Sequence, residues 1–188
     1  MIVVISGPSG VGKGTVIEKL LKLDPKLTRV VTCTTRKPRQ GEIDGKDYFF
    51  LTPEKFFEKV RNKELVEFAF VHGNYYGTPK EEIENGIRNG KDVVLQIDVQ
   101  GAKKIKSNYP DALLIFLLPP DMEVLKERLS GRGTETEEEK ELRLKRAEEE
   151  IDERVFYDYI VVNDDLDETV KEILEIIKEE REKRSSLN

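Results

Sequence analysis

The 188-residue chain has no tryptophan, two methionines, one histidine and one cysteine. A single cysteine, Cys33, cannot close an internal disulfide, so the fold must rest on packing and hydrogen bonds, as suits a reducing compartment. A small buried apolar residue in a strand is the favoured role for Cys33, ahead of a catalytic thiol. Long apolar runs are missing too. Nothing approaches the roughly 18 residues of a membrane span, and the apolar stretch 2–5 is too short for a signal-peptide core. These absences lead us to expect a cytoplasmic protein with no membrane partner. Basic residues are in deficit: 32 Lys and Arg against 38 Asp and Glu leave a formal net charge of -6. That balance argues against broad binding to a nucleic-acid backbone. Small anionic ligands stay open, because they need only a local cluster such as Arg29, Arg36, Lys37 and Arg39.

What is present is enough for a core. At this length, folding buries roughly 70% of the surface that the unfolded chain exposes, and 37% of the residues are hydrophobic. Short β-branched runs over 2–6, 29–34, 93–98, 113–118 and 159–162 read as strands. Helical patterns over 12–22, 79–89, 102–107, 122–130, 135–155 and 166–184 alternate with them. This is the βαβ signature of an α/β fold with a doubly wound, mostly parallel sheet. Two regions interrupt it. From 35 to 71, turn signals (Gly41, Asp44-Gly45), the aromatics Tyr48, Phe49 and Phe50, and a helix opened by Thr52-Pro53 suggest a small inserted β-rich lobe. Near 130–137, Gly131-Arg132-Gly133 precedes a Thr134…Glu137 capping box, which suggests a helical lid. We therefore expect one domain over 1–188, with a core of 1–34, 85–125 and 153–188, a lobe of about 35–84 and a lid of about 126–152.

The strand 2–6 runs into Gly7-Pro8-Ser9-Gly10-Val11-Gly12-Lys13-Gly14-Thr15 and then an amphipathic helix, the context that a Walker A phosphate loop requires. Glycines let backbone N–H groups turn inward around a phosphate, the helix N-terminus adds positive potential and Lys13 adds a full charge. The pattern departs from the motif at Gly14, where Ser or Thr normally supplies a hydroxyl to Mg2+. Thr15 either takes over that task, directly or through a water, or simply packs the helix; alternatively the nucleotide and water hold the metal. Ile97-Asp98-Val99-Gln100-Gly101 could end a Walker B strand or form a GTPase switch. A GTPase also needs Asn-Lys-x-Asp to read guanine, and the nearest approach, Asn62-Lys63-Glu64-Leu65, has Leu in the last place.

The phosphate loop, Thr32-Cys33-Thr34-Thr35-Arg36-Lys37-Pro38-Arg39, Gly45-Lys46-Asp47-Tyr48, Gly73-Asn74-Tyr75-Tyr76-Gly77-Thr78, the Asp98 segment, Gly131 to Glu135 and Val162-Asn163-Asp164-Asp165 together resemble the successive motifs of guanylate kinase. The resemblance runs through nearly the whole chain. It implies a P-loop phosphotransferase of purine nucleotide metabolism that moves the γ-phosphoryl of ATP to GMP, and to dGMP, with Mg2+. The partners it implies are ATP and GMP on a monomer or homodimer. The inserted lobe becomes the GMP-binding lobe. Arg36 and Arg39 resemble the pair that grips the GMP phosphate, and Tyr48 and Tyr76 the phenols that donate to it. In isolation, either tyrosine reads as lobe core. Glu67 resembles the guanine-binding carboxylate, with Thr32 and Thr78 at hydroxyl positions and Asp98 completing the site. Thr78-Pro79-Lys80-Glu81 also reads as a capping box with Pro79 at the first helical position.

Lys13, Arg36, Arg132 and Arg143 form the implied catalytic set, with Arg128 a weaker candidate. Arg143 could instead pair with Glu139 on the helix surface. Gly7 through Thr15, together with Asn163, bind ATP in this reading, Asn163 at the adenine, though Asn-Asp-Asp is also ordinary turn chemistry. Gln96 stands where the family often carries a second Asp, which weakens any two-carboxylate metal site. His72 has no counterpart in the resemblance and reads as loop packing. The rival class is a non-catalytic interaction module of the same fold, which typically loses the phosphate loop that is intact here.

Overall fold

A computed structural model describes residues 1–71, 73–130 and 137–186, with side chains for all of these except 130 and 137–140. Gly131, Arg132, Gly133, Thr134, Glu135 and His72, all singled out above, lie outside the described residues, as do the side chains of Glu137 and Glu139. In chain order the described elements are β1 (Ile2–Ser6), α1 (Lys13–Leu23), β2 (Leu27–Arg29), β3 (Cys33–Thr34), β4 (Phe49–Phe50), α2 (Pro53–Arg61), β5 (Leu65–Val71) and β6 (Asn74–Pro79). They continue with α3 (Lys80–Arg88), β7 (Asp92–Gln96), α4 (Val99–Asn108), β8 (Leu113–Leu118), α5 (Met122–Ser130), α6 (Glu137–Asp152), a 3-10 turn (Glu153–Phe156), β9 (Tyr159–Val162) and α7 (Leu166–Ser185). Among the described residues, no helix is long and apolar enough to cross a membrane.

Five strands form a sheet in the order β2-β7-β1-β8-β9. Its β2/β7 and β8/β9 pairs are parallel, Leu27 facing Asp92 and Ile115 facing Tyr159. Every residue of β1 is buried, as is β8 up to Leu117. Continuous Val, Ile and Leu without alternation is what a strand covered on both faces requires. Four further strands form a second sheet, β4-β3-β6-β5, antiparallel except where β3 meets β4. The α/β fold with a mostly parallel sheet and a separate β-rich insertion is the architecture expected from the sequence.

The chain divides into two compact units, one of Met1–Val3, Lys26–Leu95 and Gln100–Ala112, the other of Val4–Pro25, Gln96–Val99 and Leu113–Asn188. The first unit carries the second sheet. Phe56 of α2, fully buried, packs edge-on to Phe57 and Phe68 and lies against Tyr75, so aromatic burial holds this lobe. Thr52 caps α2, its hydroxyl accepting from Lys55 N at 3.4 Å with Pro53 in the first turn, as the sequence suggests. In the second unit α1 buries Val16, Ile17 and Leu20 on one face, and α7 buries Val170, Ile173 and Ile177. Lys19 pairs with Asp167, and Arg181 with Asp24 at 2.7 Å.

Three sequence expectations change. The expected strand 29–34 is two strands, because the segment changes hydrogen-bonding partners. Val30 N donates to Val94 O, whereas the carbonyls of Thr32 and Thr34 accept from Phe49 and Leu51. Helix α3 starts at Lys80 with Pro79 as its cap residue in extended conformation and no side-chain cap bond, so the expected Thr78 capping box does not form. Thr78 itself lies within β6, one residue before the cap position. Helix α4 starts at Val99, three residues before the apolar periodicity implies.

Candidate active site

The phosphate loop leaves β1 and enters α1 through backbone that only glycine tolerates. Gly12, at the cap of α1, has φ 99°, and a Cβ there would stand 2.6 Å from Asn163 Nδ2. At Gly7 (φ 147°) a Cβ would fall 2.4 Å from the Leu117 carbonyl oxygen. The loop can therefore pass close under β8 and still present its amides. The first turn of α1 has no acidic residue, so the positive end of the helix is uncompensated by its own side chains.

Lys13 folds back over this loop, donating to Gly7 O at 2.5 Å and Pro8 O at 3.0 Å. Burial pushes its pKa down, and the carboxylates of Glu150 and Asp98 pull it back up. Glu150, near the end of α6, is pushed up by burial in turn, opposed by Lys13 and by a hydrogen bond from the Ser9 backbone. Ser6 Oγ donates to Ile97 O at 2.9 Å and so ties the end of β1 to the residue before Asp98. Arg143 of α6 reaches Ser9 Oγ at 3.5 Å. Asn163, buried after β9, donates from Nδ2 to Val11 O at 2.7 Å, bracing the loop from the other side. Thr15 is exposed on α1, and Gln96 Oε1 lies 4.0 Å from where a Cβ on Gly14 would stand. Arg128 is exposed on α5.

The other half of the expected residues lies in the first unit, gathered by the second sheet. Glu67 of β5 and Thr78 of β6 are register partners, and Thr78 Oγ1 donates to Glu67 Oε1 at 2.6 Å. Both are buried, Glu67 at 6% exposure, and Thr32 is buried as well. The Arg36 guanidinium lies 5.4 Å from the centre of the Tyr48 ring, whose partner Tyr76 sits edge-on at 6.0 Å. Burial holds the Tyr48 phenol above its ordinary pKa, so it stays a hydrogen-bond donor. Arg36 is forked onto Glu42 at 2.8 and 2.9 Å, while Arg39, exposed, donates its backbone N–H to the same carboxylate at 2.6 Å.

The structure thus brings Lys13, Asp98, Arg143 and Asn163 around the loop, and Arg36, Tyr48 and Tyr76 into one cluster. Two contributors escaped the sequence reading. Glu42 had a local signal, since a carboxylate three residues after Arg39 in a glycine turn can reach back to that residue's amide. Glu150 had none, being one of many glutamates in a charged helix.

A strand, glycine loop and helix with a lysine at the helix start and no acidic residue in the helix's first turn have the make-up of the P-loop nucleotide-binding proteins. The family model described as "Guanylate kinase" matches residues 1–180. A guanylate kinase of Clostridioides difficile is 48% identical over 98% of this chain and 90% of that protein. One from Synechocystis is 46% identical over 95% and 94% respectively. The crystal structure of guanylate kinase from Anaplasma phagocytophilum superposes with a TM-score of 0.81 at 37% identity, covering 96% of this chain and 85% of that one. The chain belongs to the guanylate kinase family.

Proposed function

We propose that this chain transfers the γ-phosphoryl group of ATP to GMP, and to dGMP, giving ADP and the corresponding guanosine diphosphate. The observation that carries the acceptor is the buried Glu67–Thr78 pair, hydrogen-bonded at 2.6 Å. Guanine presents N1–H and N2–H2 as adjacent donors, which suit an acceptor-only carboxylate. Adenine in its place would leave that buried carboxylate without its bonds to the base, which costs more than a lost surface contact.

Phosphoryl transfer asks the protein for positioning and charge stabilisation rather than covalent chemistry. Lys13 and the loop from Gly7 through Thr15, in which every residue but Pro8 carries a backbone N–H donor, hold the ATP phosphates, with Asn163 keeping the loop in shape beside the adenine. Arg36, Arg39, Tyr48 and Tyr76 hold the GMP phosphate, and Thr32, Glu67, Thr78 and Asp98 hold the base. Arg143, with Arg132, neutralises the charge on the group in transit. Among the described residues no cluster of three or more His, Cys, Asp or Glu could cage a metal. The Thr15 hydroxyl and the Gln96 amide oxygen are hard oxygen donors, which fit Mg2+ arriving with ATP and keeping much of its water. When bound, that ion offsets phosphate charge. Residues of about 35–84 serve as the GMP lobe in this reading and about 126–152 as the lid. ATP and GMP are cytoplasmic metabolites, and we place the protein there with them.

The test couples ADP formation to a readout with Mg-ATP and, in turn, GMP, dGMP, AMP, CMP and UMP. Turnover on the two guanine acceptors alone is expected. Comparable turnover on AMP would overthrow the role given to Glu67, and no turnover on any acceptor would favour a non-catalytic module.

A further inference from the structure

The position of Glu42 has a consequence for how Arg36 can meet a phosphate. A guanidinium has five N–H donors. Arg36 Nη1 gives its two to Lys37 O at 2.8 Å and Glu42 Oε2 at 2.9 Å, and Nη2 gives one to Glu42 Oε1 at 2.8 Å. The terminal fork of Arg36, the edge that suits a bidentate oxyanion, is therefore already filled by a carboxylate. What remains is the second Nη2 hydrogen and Nε–H. Tyr48 and Phe50 lie 5.4 and 5.8 Å from the guanidinium carbon, so ring faces confine it as well. The same Glu42 carboxylate accepts the backbone N–H of Arg39 at 2.6 Å, and Glu42 N donates to Arg39 O at 3.1 Å, which closes the turn that carries the second arginine. Both side chains of the pair are largely shielded, Arg36 at 13% and Glu42 at 20% exposure, where an ion pair is screened less than at the surface.

We propose that Glu42 is the positioning residue of the acceptor-phosphate grip. It stays on Arg36 when substrate binds, and by filling the terminal fork it makes the Nε/Nη2 edge the one that the GMP phosphate meets. It also sets the spacing between Arg36 and Arg39. The opposite arrangement, in which Glu42 merely stands in for the phosphate and leaves on binding, predicts the reverse effect of removing its charge. Hydrogen bonds from Arg36 and the Arg39 amide hold the Glu42 carboxyl below the usual carboxylate range. The brace is thus intact wherever the phosphate carries its second charge, above about pH 6.

This inference rests on the reading of Arg36 as a phosphate ligand, and the test separates the two. GMP, guanosine and ATP are titrated calorimetrically into the wild type and into Glu42→Gln, Glu42→Asp and Arg36→Lys, with steady-state kinetics alongside. Glu42→Gln is expected to weaken GMP and raise its KM about tenfold or more, with kcat at saturating GMP within about twofold. Guanosine, which lacks the phosphate, and ATP should bind to it as to the wild type, and Glu42→Asp should recover part of the loss. Tighter GMP binding by Glu42→Gln would overturn the proposal in favour of the stand-in. Equal weakening of guanosine and GMP would overturn it in favour of a general structural role. If Arg36→Lys weakens GMP and Glu42→Gln does not, the proposal alone falls; if Arg36→Lys changes nothing, the underlying reading of Arg36 falls with it.

Discussion

Cys33 shows how burial alone settles the chemistry of a residue. It is fully buried in β3, and burial raises its thiol pKa to about 11. At pH 8 only about one molecule in a thousand carries the thiolate, the form that reacts. A disulfide reagent such as DTNB at pH 8 is expected to leave the native protein unlabelled and to take up one equivalent after unfolding in guanidinium. Rapid native labelling would show a reactive thiol and overturn the structural role read from the sequence. Other residues were less legible. Asp98 and Lys13 stand out in the sequence as motif members, yet their charge balance depends on Glu150, whose burial pushes its own carboxyl up. No pattern within α6 separates Glu150 from Glu148 or Glu149, because only packing decides which glutamate faces inward.

Capping shows the same competition at the level of elements. Asp165 caps α7, its Oδ1 accepting from Asp167 N at 2.8 Å and Glu168 N at 2.9 Å. Asp165→Ala should cost about 1 kcal/mol and lower Tm by about 2–4 °C for a chain of this size. An unchanged calorimetric Tm would mean that tertiary packing alone holds the start of α7. The sequence offered an equally good cap at Thr78, and there it misled. Pairing of β5 with β6 keeps Thr78 and Pro79 in the strand, so Pro79 takes the cap position and the Thr78 side chain stays at the sheet, where its hydroxyl donates to Glu67. The split of 29–34 into β2 and β3 has a like cause: β-branched residues favour a strand, but which strand they pair with is set by partners at 49–51 and 92–94.

Across the whole molecule, the expected ligands of the two nucleotides fall in different compact units. Lys13, Arg143 and Asn163 belong to one, Arg36, Tyr48, Glu67 and Thr78 to the other, and Asp98, assigned to the base, belongs with the loop. Binding lesions should therefore separate while transfer lesions should not. Lys13→Ala is expected to cut turnover by about a hundredfold to a thousandfold and to leave GMP binding intact. Glu67→Gln is expected to weaken GMP about tenfold or more and to leave ATP binding intact. Calorimetric titration of each variant with each nucleotide checks this, and a folded variant that loses both affinities alike would contradict it. By itself the sequence determined the fold class, the phosphate loop and the family, because those signals are contiguous: glycines at fixed offsets, periodic apolar runs, short blocks in a set order. Only the tertiary structure decided that Glu67 holds Thr78, that Asn163 braces Val11, that Glu150 faces Lys13 and that Glu42 fills the fork of Arg36. Those pairings depend on strand register, packing and the path of a turn, which bring together groups whose separation along the chain carries no signal of their meeting.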